Sequence, residues 1–465
     1  MKDKRKGRRI AIFGAALAAA LCLSACGGGA PEGSSAAPDG NSTEPANTPA
    51  ADIGTLEKNF TATIEETVLL DEKDVKITAK ELTYQNGYAA ELSLLLENNT
   101  DKELNFYAET LSCAMNSING YMVPDGYISE TVAAGMSANA TMTFELDQLA
   151  ILGITDIAEI GVGFEIQNDT KDYLTTGPLV IKTDKTDSYD SSKDTFAEAM
   201  DGMIVPAAYG FSIDYRAAEP LLDEKGVKIL NQYVITNKDG QQTLFMEAIN
   251  NSDKGVYLAE ADVSVNGLSV SSGTWDSEYI LPGKRAVLSL AFDNLLSKKY
   301  MELLGMQKYS SCAFKFDIMD HNYKSIGSKD AAISFGGNDT VDGFAGDVLY
   351  DKNGFTFMKV GIVEDELDIS DDLHVLVLVK NTSGKTVDVD IAYDSVYVNK
   401  MKVNDLTMGT TVQDGGYALV DISLMGHSLE DNGLDINSIT AVSASFEIRD
   451  KSYDTLDEPK IDMTF

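Results

Sequence analysis

The stretch LLDEKDVKI at 69–77 returns with one change as LLDEKGVKI at 221–229, and ENNTDK at 97–102 returns as INNSDK at 249–254. Both pairs stand 152 residues apart. Self-similarity at a domain-sized period restricts the chain to one architecture built more than once, because each copy must form the same elements and bury the same face. A third, looser copy runs from VLYDKNGFTF at 348 to VKNTSGK at 379–385. Other marks keep the order: Asn116, Asn266 and Asn399 after alternating runs, then Gly135, Gly283 and Gly415 before the next. Each copy closes on an aromatic-bearing segment, FEIQNDTKDY, FKFDIMDHNY and FEIRDKSY. The boundaries expected from this pattern are 56–183, 204–336 and 337–465, with a linker at 184–203.

Within a copy the hydrophobic period is two. Leu92, Leu94 and Leu96 share one face of AELSLLLEN, and Leu373, Val375, Val377 and Val379 share one face of LHVLVLVKN, so these are strands. Gly226 and Gly354 stand where a tight hairpin needs positive φ, and the first copy puts Asp74 there, a residue that tolerates that region. The NNTDK, NNSDK and NTSGK segments supply turn formers. Helical pattern is scarce, with candidate short helices at 292–306 and 194–203. The expected fold is all-β, with three tandem antiparallel β-sandwich domains; a small β-barrel is the alternative.

The motif LLDEKDVKI…YAAELSLLLENNTDKELNF…VAAG resembles the telokin-like, immunoglobulin-like repeats of lipoproteins from Gram-positive anaerobes. That resemblance covers all three copies and is weakest in the third. It implies an immunoglobulin-like sandwich and no assigned chemistry.

The N-terminus points outward across a membrane. A basic start, MKDKRKGRR, precedes the apolar run IAIFGAALAAALCL, which is too short for a permanent span and suits an export signal. Leu23, Ser24, Ala25 and Cys26 resemble the lipobox of bacterial lipoproteins, which implies cleavage at 1–25 and a diacylglycerol on Cys26. Residues 26–55 are almost entirely Gly, Ala, Pro, Ser, Thr, Asn and acid, a composition expected to stay a disordered tether. Together these place the body at the extracytoplasmic face of the bacterial membrane, held by lipid.

The chain's formal net charge of −36 repels nucleic acid and anionic headgroups, so neither is expected as a partner. No catalytic, phosphate-binding or metal-ligating motif occurs, so no enzyme, cofactor or metal is expected. His321, His374 and His427 are scattered, and EDELDISDD at 364–372 is either a solvated loop or a set of oxygen ligands without the glycine of a calcium-binding loop. Cys113 and Cys312 fall on strands that do not correspond and read as buried small hydrophobes. Between the repeated Asn and Gly, the first copy carries Tyr121 and Tyr127 and the second Trp275 and Tyr279. These aromatics form either a contact surface for an envelope glycan or surface protein, or caps on the open ends of the sandwiches. The function expected is a non-catalytic binding or spacing module; the alternative is an accessory to envelope assembly or transport that holds a glycan or peptide.

Overall fold

In the computed structural model the described residues are 60–465, apart from 86, 111–113, 169–170, 271–276, 338, 365–371 and 404–408. Cys26 and its tether, Cys113, Trp275 and most of the acidic stretch therefore lie outside the described residues. Strand accounts for 53% and helix for 12%, so the chain is all-β, with antiparallel sheets stacked as in a β-sandwich. Its contacts divide it into two compact units. The first holds the described residues up to Leu258 with 278–291 and 319–326, and the second holds 259–277, 292–318 and 327–465. The second copy of the repeat thus contributes to both.

Local chemistry explains the strands of the first unit. Thr67–Glu72 and Val75–Gln85 form a hairpin whose two turn residues, Lys73 and Asp74, both have positive φ (51° and 58°). The same two-residue turn recurs at Lys225-Gly226 (52°, 85°) and Asn353-Gly354 (54°, 84°), as a right-twisted hairpin requires. Ala89–Asn98 and Met136–Glu145 complete this four-stranded sheet. Its Leu92, Leu94 and Leu96 pack in one core with Phe106 and Ile166 of the facing strands and with Phe164.

A third sheet of the first unit joins two copies of the repeat. Its strands run from Leu179–Lys182 through Glu159–Val162, Ser117–Ile118 and Tyr121–Met122 to Arg285–Ala291, Gln242–Asn250, Val227–Thr236 and Ser212–Ala217. The step between copies is parallel, with Tyr121 opposite Arg285. In the second unit the step from Leu268–Ser269 to Tyr417–Leu424 is also parallel. There Val375, Val377 and Val379 share a core with Val387, Val389, Phe446 and Ile448.

The turn-forming motifs are latches as well as turns. Asn98 is fully buried; its Nδ2 donates to the carbonyls of Lys102 (2.7 Å) and Val132 (2.8 Å), and its Oδ1 accepts from Thr100 N (3.0 Å) and Oγ1 (2.6 Å). Asn250 repeats the set with Lys254, Ile280 and Ser252, and Asn381 with Lys385, Val412 and Ser383. At the later marker, the residue equivalent to Asn266 and Asn399 is Asn119 rather than the expected Asn116. Asn119, Asn266 and Asn399 all have positive φ (50°, 53° and 47°) and accept on Oδ1 from two successive backbone N–H groups. Asn116 instead donates to Asp125 O at 2.7 Å.

Both expected helical segments form as short pieces, Thr195–Asp201, capped by Asp194, and Phe292–Leu295 with Lys298–Leu303; short helices at Leu146–Ile151, Ile204–Tyr209 and Gly426–Asp431 were not expected.

Candidate binding cleft

Glu247 is an acidic residue in the apolar strand Gln242–Asn250, on the face turned away from the sandwich core. Its register partners are Asn231, at the bulge of the neighbouring strand, and Val287. Water does not reach it: its side chain is fully buried. Helix Thr195–Asp201 lies over this face, seated by Phe196, whose ring meets Tyr233 and Phe245 edge-on at 5.6 and 6.3 Å.

The buried carboxylate is saturated by donors from three segments. Oε1 accepts from Tyr121 Oη (3.1 Å) and Arg285 Nη1 (2.7 Å), and Oε2 from Asn231 Nδ2 (2.6 Å). Asp194, the cap of the helix, accepts from the same Arg285 Nη1 at 3.1 Å and the same Asn231 Nδ2 at 3.0 Å. Two carboxylates thus share one guanidinium. Burial, reinforced by Asp194, pushes the Glu247 carboxyl up to about 7 despite Arg285. Burial also drives the Tyr121 phenol up, so it stays a neutral donor.

Above this floor opens a cleft of about 340 Å³, walled by Asn119, Glu159, Tyr189, Lys193, Lys284 and Arg285 among others. Tyr189 is half-buried and donates its hydroxyl to Asn119 O at 2.9 Å. Lys284 lies 3.2 Å from Glu159, while Lys193 is exposed at the rim. A second hollow of about 330 Å³, lined by Ile154, Thr155 and Val205, shares Tyr189 and Lys193 with the first. Each is the size of a small-ligand site. Of the three basic side chains here, Lys284 and Arg285 are paired with carboxylates of the chain, and Lys193 at the rim is exposed.

The aromatics singled out in the sequence separate. Tyr121 is 1% exposed and forms the cleft floor, so its ring is not a surface platform. Tyr127 is 48% exposed. Tyr279 is half-buried, its ring 4.7 Å from Tyr257, which in turn stacks at 4.5 Å on Tyr323. Trp275 lies outside the described residues. Sequence reading missed Tyr257 and Tyr323, although both follow recognisable turns, NNSDK and DHN. It also missed Tyr189, Lys193 and Arg285, which carry no motif.

Other candidates fall elsewhere. His374 Nδ1 lies 2.9 Å from Asp421, which also accepts from Tyr300 Oη at 3.0 Å, under the helix Lys298–Leu303. Cys312 is buried, and burial pushes its thiol up to about 12. Among the described residues no group of three or more His, Cys, Asp or Glu could hold a metal ion, and no helix is long and apolar enough to cross a membrane.

Comparison with protein families and with curated proteins finds no match. Among solved structures, a protein of unknown function from Porphyromonas gingivalis W83 aligns over 48% of this chain and 91% of its own at 12% identity, with a TM-score of 0.14. An exo-chitosanase from Amycolatopsis orientalis aligns over 50% of this chain and 26% of its own at 11% identity, with a TM-score of 0.15. Red sea bream transglutaminase aligns over 56% and 31% at 10% identity, with a TM-score of 0.14.

Proposed function

We propose that this chain is a lipoprotein of the extracytoplasmic membrane face, anchored through Cys26, whose three immunoglobulin-like sandwiches act as a non-catalytic binding module. The cleft at Tyr189 is its contact site, and the ligand is a carboxylate-bearing envelope glycan or peptide. One observation carries this reading: exposed Lys193 stands beside half-buried Tyr189 at the rim of a cleft of about 340 Å³, whose other basic residues, Lys284 and Arg285, are held by Glu159, Glu247 and Asp194 in its wall and floor. A ligand carboxylate meets Lys193 there, and the tyrosine ring offers a face to a sugar or side chain. Glu247 beneath them is saturated by its own donors and serves to hold the floor.

The test is a calorimetric titration of the full chain with soluble cell-wall muropeptides and with their carboxyl-amidated forms. Tyr189→Ala with Lys193→Ala should weaken binding at least tenfold, and amidation should do the same to the native chain. Equal affinity for all four combinations, or no binding to the native chain, overturns the proposal.

A further inference from the structure

Tyr121, Leu268 and Met401 occupy one place in three copies of a single hairpin. Each follows a left-handed pair: Asn119-Gly120 (φ 50° and 90°), Asn266-Gly267 (53° and 80°) and Asn399-Lys400 (47° and 72°). In the first two copies the outer strand of the hairpin goes on to pair in parallel with the sheet of the next copy. Tyr121 lies opposite Arg285, and Leu268 and Ser269 lie opposite Tyr417 and Ala418. Arg285 N donates to Gly120 O at 2.9 Å to close the first of these steps. Both leading side chains are buried, Tyr121 at 1% exposure and Leu268 at 0%.

Among the described residues no strand pairs with the outer side of the third hairpin. Met401–Lys402 pairs with Tyr397–Val398 and, among the described residues, stands at the end of its sheet. Met401 is 46% exposed and Tyr397 40%. At the opposite end of the repeat order, the strand matching Arg285–Ala291 and Tyr417–Leu424 is Met136–Glu145. It forms one edge of its four-stranded sheet, and among the described residues no strand pairs with its outer side. Met136 at its start is 62% exposed. One chain therefore carries both halves of a contact it already makes twice internally, each half marked by an exposed methionine.

We infer that a second copy of this chain docks head to tail, its Met401–Lys402 strand pairing in parallel with Met136–Glu145 and Met401 standing opposite Ser137. The register follows from the internal steps: Arg285, Tyr417 and Ser137 each lie two residues after the repeated glycine, at Gly283, Gly415 and Gly135. The occupant follows from continuity, since both filled hairpins meet the sheet edge of this same repeat. Main-chain hydrogen bonds supply the attraction, as in other strand additions. The contact is heterologous and does not close on itself, so it produces open chains of copies. A net charge of −36 opposes it, which makes assembly stronger at high ionic strength.

The test is oxidation of the full chain carrying Ser137→Cys and Met401→Cys, resolved on a non-reducing gel. A ladder of linked multimers, absent from the wild type and denser at high salt, is expected. Moving the first cysteine to Thr143 on the same strand should remove the ladder; if it persists, random collision explains it and the proposal falls. If Met401→Cys alone links as efficiently as the pair, the edges meet symmetrically and the head-to-tail contact is wrong. Sedimentation of the unmodified chain provides the second measurement. Its mean mass should rise with concentration, and Met401→Asp, at an exposed site and with unchanged thermal unfolding, should abolish that rise. A wild type that stays monomeric at all concentrations overturns the proposal.

Discussion

Asn98, Asn250 and Asn381 each sit where a strand of one sheet crosses to the next, and each spends its whole carboxamide on backbone and turn. The amide group spans the turn carbonyl and a carbonyl of the facing sheet, and the oxygen gathers the turn itself. Replacing Asn98 by Ala strands the Val132 carbonyl in a buried site, and such orphaned groups cost ~1–3 kcal/mol each. Asn98→Ala is therefore expected to lose about 2–4 kcal/mol in a urea melt, while Thr100→Ala, which removes only the hydroxyl, loses about 1 kcal/mol. An Asn98→Ala chain that melts like the native one would contradict the latch. The departure of NTSGK from NNTDK leaves this mechanism intact, because Asn381 and Ser383 keep the positions that bond.

At the scale of elements, the strand bearing Glu247, the hairpin bearing Tyr121 and the helix capped by Asp194 meet on one buried charge set. The Glu247 pKa rises from an unfolded value of 4.5 to about 7 in the fold. The folded state therefore binds the proton more tightly than the unfolded chain. Below pH 4.5 both states are protonated and nothing is lost; as pH rises through about 7 the fold must hold an ionised buried carboxylate. Stability thus falls with rising pH across that window, by up to ~3 kcal/mol, since each tenfold tightening of proton binding is worth about 1.4 kcal/mol. Asp125, pushed by burial up to about 7, and Glu109, pushed up to about 8, act in the same direction. Chemical denaturation from pH 5 to 8 should show the decline, and Glu247→Gln should flatten its part between pH 5 and 7. A slope unchanged by Glu247→Gln would place the proton elsewhere.

For the whole molecule, the proposed lipid anchor and the proposed binding site are tested separately. The candidate cleft draws only on residues of the first unit and on none near Cys26 in sequence. Cys26→Ser is expected to shift the protein from the membrane fraction to the soluble fraction or leave its signal uncleaved, with the muropeptide affinity of the body unchanged. Cell fractionation with mass measurement of the N-terminus checks this; a membrane-bound, unmodified Cys26→Ser chain would contradict the anchor.

Sequence alone determined the strands, their hairpins and their recurrence, because those features are written locally. A period of two needs only successive side chains, and the turns at Asp74, Gly226 and Gly354 need only residues that accept positive φ. The short helices at 195–201 and 298–303 were legible for the same reason. Tertiary structure decided what lies on the second face of each sheet. Alternation shows that Glu247 points away from the sandwich core, but only the helix at Phe196 and the hairpin at Tyr121 turn that outward position into a buried one. Tyr121 itself reads as a loop aromatic until Arg285, far along the chain, pairs beside it and closes water out. The cleft above them was invisible for that reason: its walls come from segments that no local pattern connects, and exposure depends on what the rest of the chain brings across.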